Sequence, residues 1–286
     1  MPPDDKPAGE GTAAVRSMER GGRDDSIVNI FVMNKSNVGD WYCAPMRYFP
    51  FKKRVFAHFG ALPGMSGDRI PRNIILGGGG LLNPVAKPHF ETLTRHRSAI
   101  DKLIAWGIGS NVHYRTEDGF TDDISALYPP FIEMFDLFGA RDFGTEHRWV
   151  PCASCMHPAF NTRFEIKNPI VLYEHEKVRI EIDGFPRMDN SEMDLRKVSQ
   201  FLGSSETVIT NSYHGVYWAT LLGKRVVAIP FSSRFHGFKH QPRICTHDNW
   251  KKGIEKTETF PDALEECRRA NVAFFCDVAK EFDFNI

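Results

Sequence analysis

Asn211, Ser212 and His214 follow directly on the β-branched run Thr207–Thr210. Ser232, Ser233, Arg234, His236, Lys239 and His240 follow on a second apolar run, Arg225–Pro230. Hydroxyls, imidazoles and two cations at the ends of neighbouring strands are the groups that hold a small, multiply charged anion. Arg and Lys supply full charge, hydroxyls supply short hydrogen bonds, and an imidazole can carry a proton. Any one of these residues could equally be a surface side chain meeting water. Their joint placement points to a site.

The elements that must position them are legible around them. Thr207–Thr210 and Arg225–Pro230 read as short buried strands. His214–Leu222 between them reads as a helix, with Asn211 or Ser212 as N-cap and Gly223-Lys224 as its stop. Strand, helix and strand at this length form a right-handed crossover, and ligands of open parallel sheets lie beyond the carboxyl ends of the strands. The helix start adds free N–H groups and a partial positive charge.

Upstream, Ser26–Met33 is a strand followed by the loop Asn34–Asp40, and Lys52–Ala57 is a second strand. Asn73–Leu76 runs into Gly77-Gly78-Gly79-Gly80, which lacks the Lys-Ser/Thr of a P-loop and the spacing of a dinucleotide fingerprint. A helix is predicted over Glu91–Ile100, then a strand over Lys102–Trp106 ending in the loop Gly107–His113. Phe135–Arg141 and Arg148–Pro151 are short strands, and Ile166–Tyr173 opens a second α/β set. A helix over Ser191–Leu202 and a closing helix from about Pro261 to Phe282 complete it. The alternation predicts an α/β chain of two Rossmann-like domains facing a cleft. The boundaries are a disordered tail over 1–25, a first domain over 26–162 and a second over 163–286.

Composition sets outer limits. Lys and Arg number 36 against 36 Asp and Glu, so no nucleic-acid partner is expected and any basic site must be local. No run approaches a membrane span, and the Pro-, Gly- and charge-rich start has no apolar core of an export signal. Cys43, Cys152, Cys155, Cys245, Cys267 and Cys276 show no disulfide framework and read as reduced thiols. Cys152-x-x-Cys155-x-His157 with Cys245-x-His247 has the residue types of a zinc site, but free thiols are the expectation and no metal is called.

Taken together, several pieces resemble the polysaccharide pyruvyl transferase family. The family's N-x-G-D loop is matched by Asn37-Val38-Gly39-Asp40, its G-G-G-L loop by the run from Ile74 to Leu82, and its G-x-G loop by Gly107-Ile108-Gly109. Its mid-chain R-D/E pair is matched by Arg141-Asp142, its S-x-x-H-G helix start by Ser212-Tyr213-His214-Gly215 with one residue fewer, and its late basic residue by Arg234. Two positions depart. Ser212 stands where the family often has Arg, and His157-Pro158-Ala159-Phe160 stands where it has D-P-x-F.

The resemblance implies a GT-B-like enzyme that transfers pyruvate from phosphoenolpyruvate, as a ketal, to a sugar of an exopolysaccharide or of its lipid-linked repeat unit. It needs no cofactor beyond phosphoenolpyruvate as co-substrate. Such an enzyme would work in the cytoplasm or, by peripheral association, at the inner face of the membrane. It implies His214 as acid/base, Asp40 to orient or deprotonate the sugar hydroxyl, and His113 as a second imidazole. Donor binding falls to Arg234 and Arg141 with Asn211, Ser212, Ser232, Ser233, His236 and Lys239, and the acceptor side to Asn37, Gly39, Gly78 and Gly79. Two other readings share the fold: a glycosyltransferase using a nucleotide sugar, and a non-catalytic carbohydrate-binding relative. Glu206 precedes its strand and lies at the wrong end to hold a ribose.

Overall fold

A computed structural model describes residues 26–112 and 130–283. The tail predicted over 1–25 and His113 lie outside the described residues. The chain forms two parallel sheets of the Rossmann-like α/β class. The first has seven strands, β1 (Ile27–Phe31), β2 (Val55–His58), β3 (Asn73–Leu76), β4 (Gly79–Leu82), β5 (Lys102–Ser110), β6 (Leu137–Ala140) and β7 (Arg148–Trp149). Their order is β2-β1-β3-β5-β6-β7, with β4 paired off this path onto β5. The second has five, β8 (Asn168–Glu174), β9 (Arg187–Asp189), β10 (Ser205–Thr210), β11 (Arg225–Ala228) and β12 (Arg243–Ile244), in the order β12-β11-β10-β8-β9.

Strands covered on both faces are near-continuous apolar runs, as β1, β3 and most of β5 are; the exception within β1, the buried Asn29, is satisfied by donating to Ile75 O and Gly77 O and accepting from Met46 N. Ile30, Ile74, Leu76 and Leu103 pack on one face of the first sheet, and Ile27, Ile75, Ile104 and Trp106 on the other. The helices are α1 (Val38–Tyr42), α2 (Lys87–Arg95), α3 (Leu195–Gly203), α4 (Tyr213–Leu221), α5 (Trp250–Ile254) and α6 (Ala263–Glu281). Helix α4 is buried along its whole length, which is why its sequence shows no polar face.

Helix α6 follows the second sheet in the chain but returns to the first. Its Phe274, Val278 and Phe282 pack with Ile75, Ile104 and Trp106. Asn271 on the same helix accepts a hydrogen bond from Trp106 Nε1 at 2.9 Å and donates to Pro151 O at 3.1 Å. A further core joins Phe31, Val38 and Tyr42 to Val171, Val208 and Trp218, so apolar packing is continuous between the sheets.

Several elements differ from the sequence expectation. The helix expected at Glu91 begins at Lys87, because Pro88 sits in the first turn, where a missing N–H leaves nothing unsatisfied. Gly79–Leu82 is not loop but strand, paired in parallel with β5. The Gly107–Gly109 run is also strand: β5 continues through it to Ser110, with an irregular register between Trp106 and Ile108. Gly109 is required there by close approach, since any side chain would run into the Arg141 guanidinium and the Asp142 carboxylate. Strands β9 and β12 and helix α5 carry too few patterned residues to stand out in sequence.

Candidate functional site

The polar residues collect where the carboxyl ends of the two sheets meet. A cavity of about 320 Å³ lies there. From the ends of β1, β5 and β6 it takes Asn37, Asp40, Asn111 and Arg141; from those of β8, β10 and β11 it takes His175, Ser212, His214 and Arg234. This is the strand-end crevice in which open parallel sheets bind ligands.

Arg234 comes from the turn after β11. Its guanidinium lies 4.7 Å from the ring centre of Phe231 and 5.5 Å from that of Phe235. Two of its nitrogens, Nε and Nη2, are shielded from solvent and have no hydrogen-bond partner. A buried donor on a cation without a partner is costly, so such a group normally marks a place where an anion binds. Burial, together with the like charge of Arg141, lowers its pKa to about 10, against the pull of Asp40 and Glu176.

Arg141, at the end of β6, is buried and held in place. It donates from Nε to Asp142 Oδ1 at 2.9 Å and from Nη2 to Ser110 O at 2.6 Å, and it stacks on Tyr213 at 4.2 Å. Asp142 in turn accepts from Ser110 N at 2.6 Å. The Arg141-Asp142 pair is therefore both a structural ion pair and part of the cavity wall.

His214 stands in the first turn of α4, whose N-cap is Ser212, with Ser212 Oγ accepting from Gly215 N at 3.4 Å. Its ring packs against Gly39 of α1, where even a methyl group would collide with it. Its Nε2 lies 3.5 Å from Cys152 Sγ. Burial first, then Arg141 and Arg234, lower its pKa to about 3, so the imidazole is neutral at pH 7.

Asp40 behaves in the opposite way. Burial raises its pKa to about 6, against the opposing effects of Arg234 and a hydrogen bond from Asn34. Asn37 caps α1, accepting from Gly39 N at 3.0 Å and Asp40 N at 3.2 Å. The same short helix docks on the other sheet through Val38 N to Asn190 O at 2.9 Å and Asn37 Nδ2 to Glu176 Oε2 at 3.5 Å. Asp40 is thereby fixed beside groups that arrive more than 130 positions later in the chain.

Of the residues singled out in sequence, Asn37, Asp40, Gly78, Gly79, Arg141, Ser212, His214 and Arg234 line the cavity. Gly39 stands behind His214. The others serve elsewhere. Asn211 accepts from His175 N at 2.8 Å and donates to Val178 O at 2.7 Å, which fixes the loop after β8. Ser233 bonds Ser110 Oγ at 3.1 Å and accepts from Val112 N at 2.9 Å, tying the two sheets together. Lys239 pairs with Glu266 of α6 at 2.7 Å and lies over Trp149. Ser232 Oγ is buried outside the cavity wall, and His236 is likewise not part of that wall. Lys239 is thus not part of the cavity wall, and among the described residues Arg234 and Arg141 are its cations.

Among the described residues no cluster of His, Cys, Asp and Glu could hold a metal ion. Cys152 and Cys155 lie in the core shared by both sheets, while Cys245 packs with Leu172 and Trp250 in a separate one. Sequence reading missed His175 and Asn190 in the wall, and Glu176 beside it. His175 and Glu176 follow β8 as Asn211 follows β10, so the strand-end rule applied to every strand would have found them. Phe59 and His89 also line the cavity, and nothing in their spacing announces it.

The fold and site define an α/β protein of parallel sheets with a cation-walled cavity at the strand ends. No protein-family model and no curated protein matches the chain. Among solved structures, a similar chain is an uncharacterized protein from Klebsiella pneumoniae subsp. pneumoniae. It is 17% identical with a TM-score of 0.43, over 77% of this chain and 92% of that one. No described helix is long and apolar enough to cross a membrane.

Proposed function

We propose that the chain is a pyruvyltransferase. It transfers pyruvate from phosphoenolpyruvate to two hydroxyls of a saccharide, forming a ketal, in a GT-B-like cleft between two domains. The observation that carries this reading is the shielded Arg234 guanidinium, with two unpartnered nitrogens, facing a cavity that Arg141 also lines. Phosphoenolpyruvate presents a carboxylate and a phosphate close together, and paired guanidinium groups suit both. The N–H groups at the start of α4 add to the same field. The resemblance in motif order supplies the reaction class.

Groups whose surroundings push their pKa values apart divide the acid and base roles. Asp40, raised to about 6, is mostly ionised at pH 7 but keeps a protonated fraction there, and it is the acid that protonates the methylene carbon of the enol. A sugar hydroxyl attacks the resulting oxocarbenium-like carbon and gives its proton to His214, which is neutral and able to accept it. The C–O bond to phosphate breaks and phosphate leaves with the proton held by His214; a second hydroxyl then closes the ring on the same carbon and gives its proton to the Asp40 carboxylate, restoring the acid. A dianion beside Arg141 and Arg234 offsets their charge and raises the pKa of His214 toward the range of a useful base. This exchanges the roles that sequence alone gave to Asp40 and His214. The acceptor, free or lipid-linked, places the reaction in the cytoplasm or at the inner membrane face.

Differential scanning calorimetry with phosphoenolpyruvate and with UDP tests the reading. At about 100 times its dissociation constant a ligand adds roughly 2.7 kcal/mol of stability. Phosphoenolpyruvate should raise the melting temperature and UDP should not. The reverse result would replace the reading with a nucleotide-sugar enzyme.

A further inference from the structure

The cavity has two chemically different ends. The cationic end has Arg141, Arg234 and His214. The other is built from β4, the segments after β2, β4 and β5, and the start of α2: Phe59, Leu81, Val85, His89 and Asn111. Among the described residues that line this second end there is no Lys, Arg, Asp or Glu.

Phe59 and His89 form a stacked pair, with ring centres 4.2 Å apart and planes 7° from parallel. Phe59 is anchored in the core beneath, and His89 is half-buried on the cavity side of helix α2. Burial lowers the His89 pKa, so its ring is uncharged at neutral pH. Val85 is 83% exposed, an isolated apolar side chain at the mouth. Asn111 packs with Arg141 against Gly80, between the two ends, and its Oδ1 is shielded from solvent with no hydrogen-bond partner. Asn83 is already committed, accepting from Ala86 N at 3.0 Å and donating to Gly80 O at 2.9 Å.

We infer that this end is an acceptor subsite for a neutral pyranose, whose apolar ring face lies on the Phe59–His89 wall and whose hydroxyl donates to Asn111 Oδ1. A flat uncharged aromatic wall suits the C–H face of a sugar, and a few fixed polar atoms set its orientation. A uronic acid would bring a carboxylate to an end where none of the described lining residues is a cation to offset its desolvation. Asn111, beside Arg141, sets the bound hydroxyl next to the donor end. The inference deepens the pyruvyltransferase reading and rests on it for the identity of the acceptor.

Saturation-transfer NMR on the full-length protein distinguishes the two claims. The probes are methyl β-D-galactopyranoside, methyl β-D-glucopyranoside and methyl β-D-galacturonide, with phosphoenolpyruvate titrated separately. A neutral glycoside should bind with its ring C–H protons most strongly saturated, and the uronide should bind at least tenfold more weakly. His89→Ala and Asn111→Ala should each weaken the neutral glycoside at least fivefold. If phosphoenolpyruvate binds and neither neutral glycoside does, or the uronide binds as well, the subsite is wrong. If a neutral glycoside binds as described and phosphoenolpyruvate does not, the subsite stands and the pyruvyltransferase reading falls. The wild-type comparison of glycoside with uronide needs no variant to fold.

Discussion

Asp40 and His214 line one cavity with pKa values shifted in opposite directions, and each leaves a distinct mark on stability. The Asp40 pKa of about 6 lies above the ordinary 3.8, so its contribution to folding is present below pH 3.8 and lost as pH rises through 6. Above that, the buried carboxylate costs on the order of 3 kcal/mol. Asp40→Asn should therefore melt higher than the natural chain at pH 7, with most of the gain gone at pH 4. The same variant should lose at least a hundredfold in turnover, as removal of a general acid does. His214 has the opposite sign: its pKa of about 3 lies below the ordinary 6.5. Its contribution is present above 6.5 and lost as pH falls toward 3, so His214→Gln should flatten the acid side of the stability profile. Thermal melts of the three proteins between pH 4 and 8 check both signs. If Asp40→Asn loses stability at pH 7, the carboxylate is better paired than its surroundings suggest. Strand-end placement singled out His214 and the motif resemblance singled out Asp40, but the burial and the two guanidinium groups that shift their pKa values come from remote segments and were not legible in sequence.

At the scale of elements, α1 and α6 hold the site together from opposite ends of the chain. Gly39 admits the His214 ring, so Gly39→Ala should destabilise the fold and push α1 off α4. Asn271 of α6 satisfies Trp106 Nε1, Pro151 O and Cys267 O together. Asn271→Ala strands these buried groups and should cost at least about 2 kcal/mol in urea unfolding; a loss under 0.5 kcal/mol would show that water replaces them. The β-branched runs at β1, β3 and β10 and the apolar stretch at β11 were legible because a buried strand has few other sequences. The helix α4 was legible from its cap, Ser212, and its stop, Gly223. Gly79–Leu82 and Gly107–Gly109 were not, since glycine in a strand reads as a loop until the packing of Asn111 and Arg141 against those strands is known. Nor did sequence show that α6 returns to the first sheet. Its apolar positions say that a face is buried, not against what.

Across the whole molecule, the core shared by Phe31, Val38, Val171 and Trp218 and the return of α6 make the two sheets interdependent. Each large apolar side chain withdrawn from this packing forfeits roughly 1.5–3 kcal/mol. Calorimetry should therefore show a single unfolding transition, and a fragment of residues 26–162, lacking Phe274, Val278 and Phe282, should not fold. Two separated transitions would mean that the sheets are autonomous. The same interdependence brings Arg141 of one sheet and Arg234 of the other to one cavity, and the proposed anion site needs both. Isothermal titration of phosphoenolpyruvate into the natural protein and into Arg234→Ala tests that site most directly. A charge-assisted contact contributes about 1.5–3 kcal/mol, so the variant should bind at least tenfold more weakly while its melting temperature holds or rises. Equal affinity in the two proteins, or no binding to the natural one, would contradict the account.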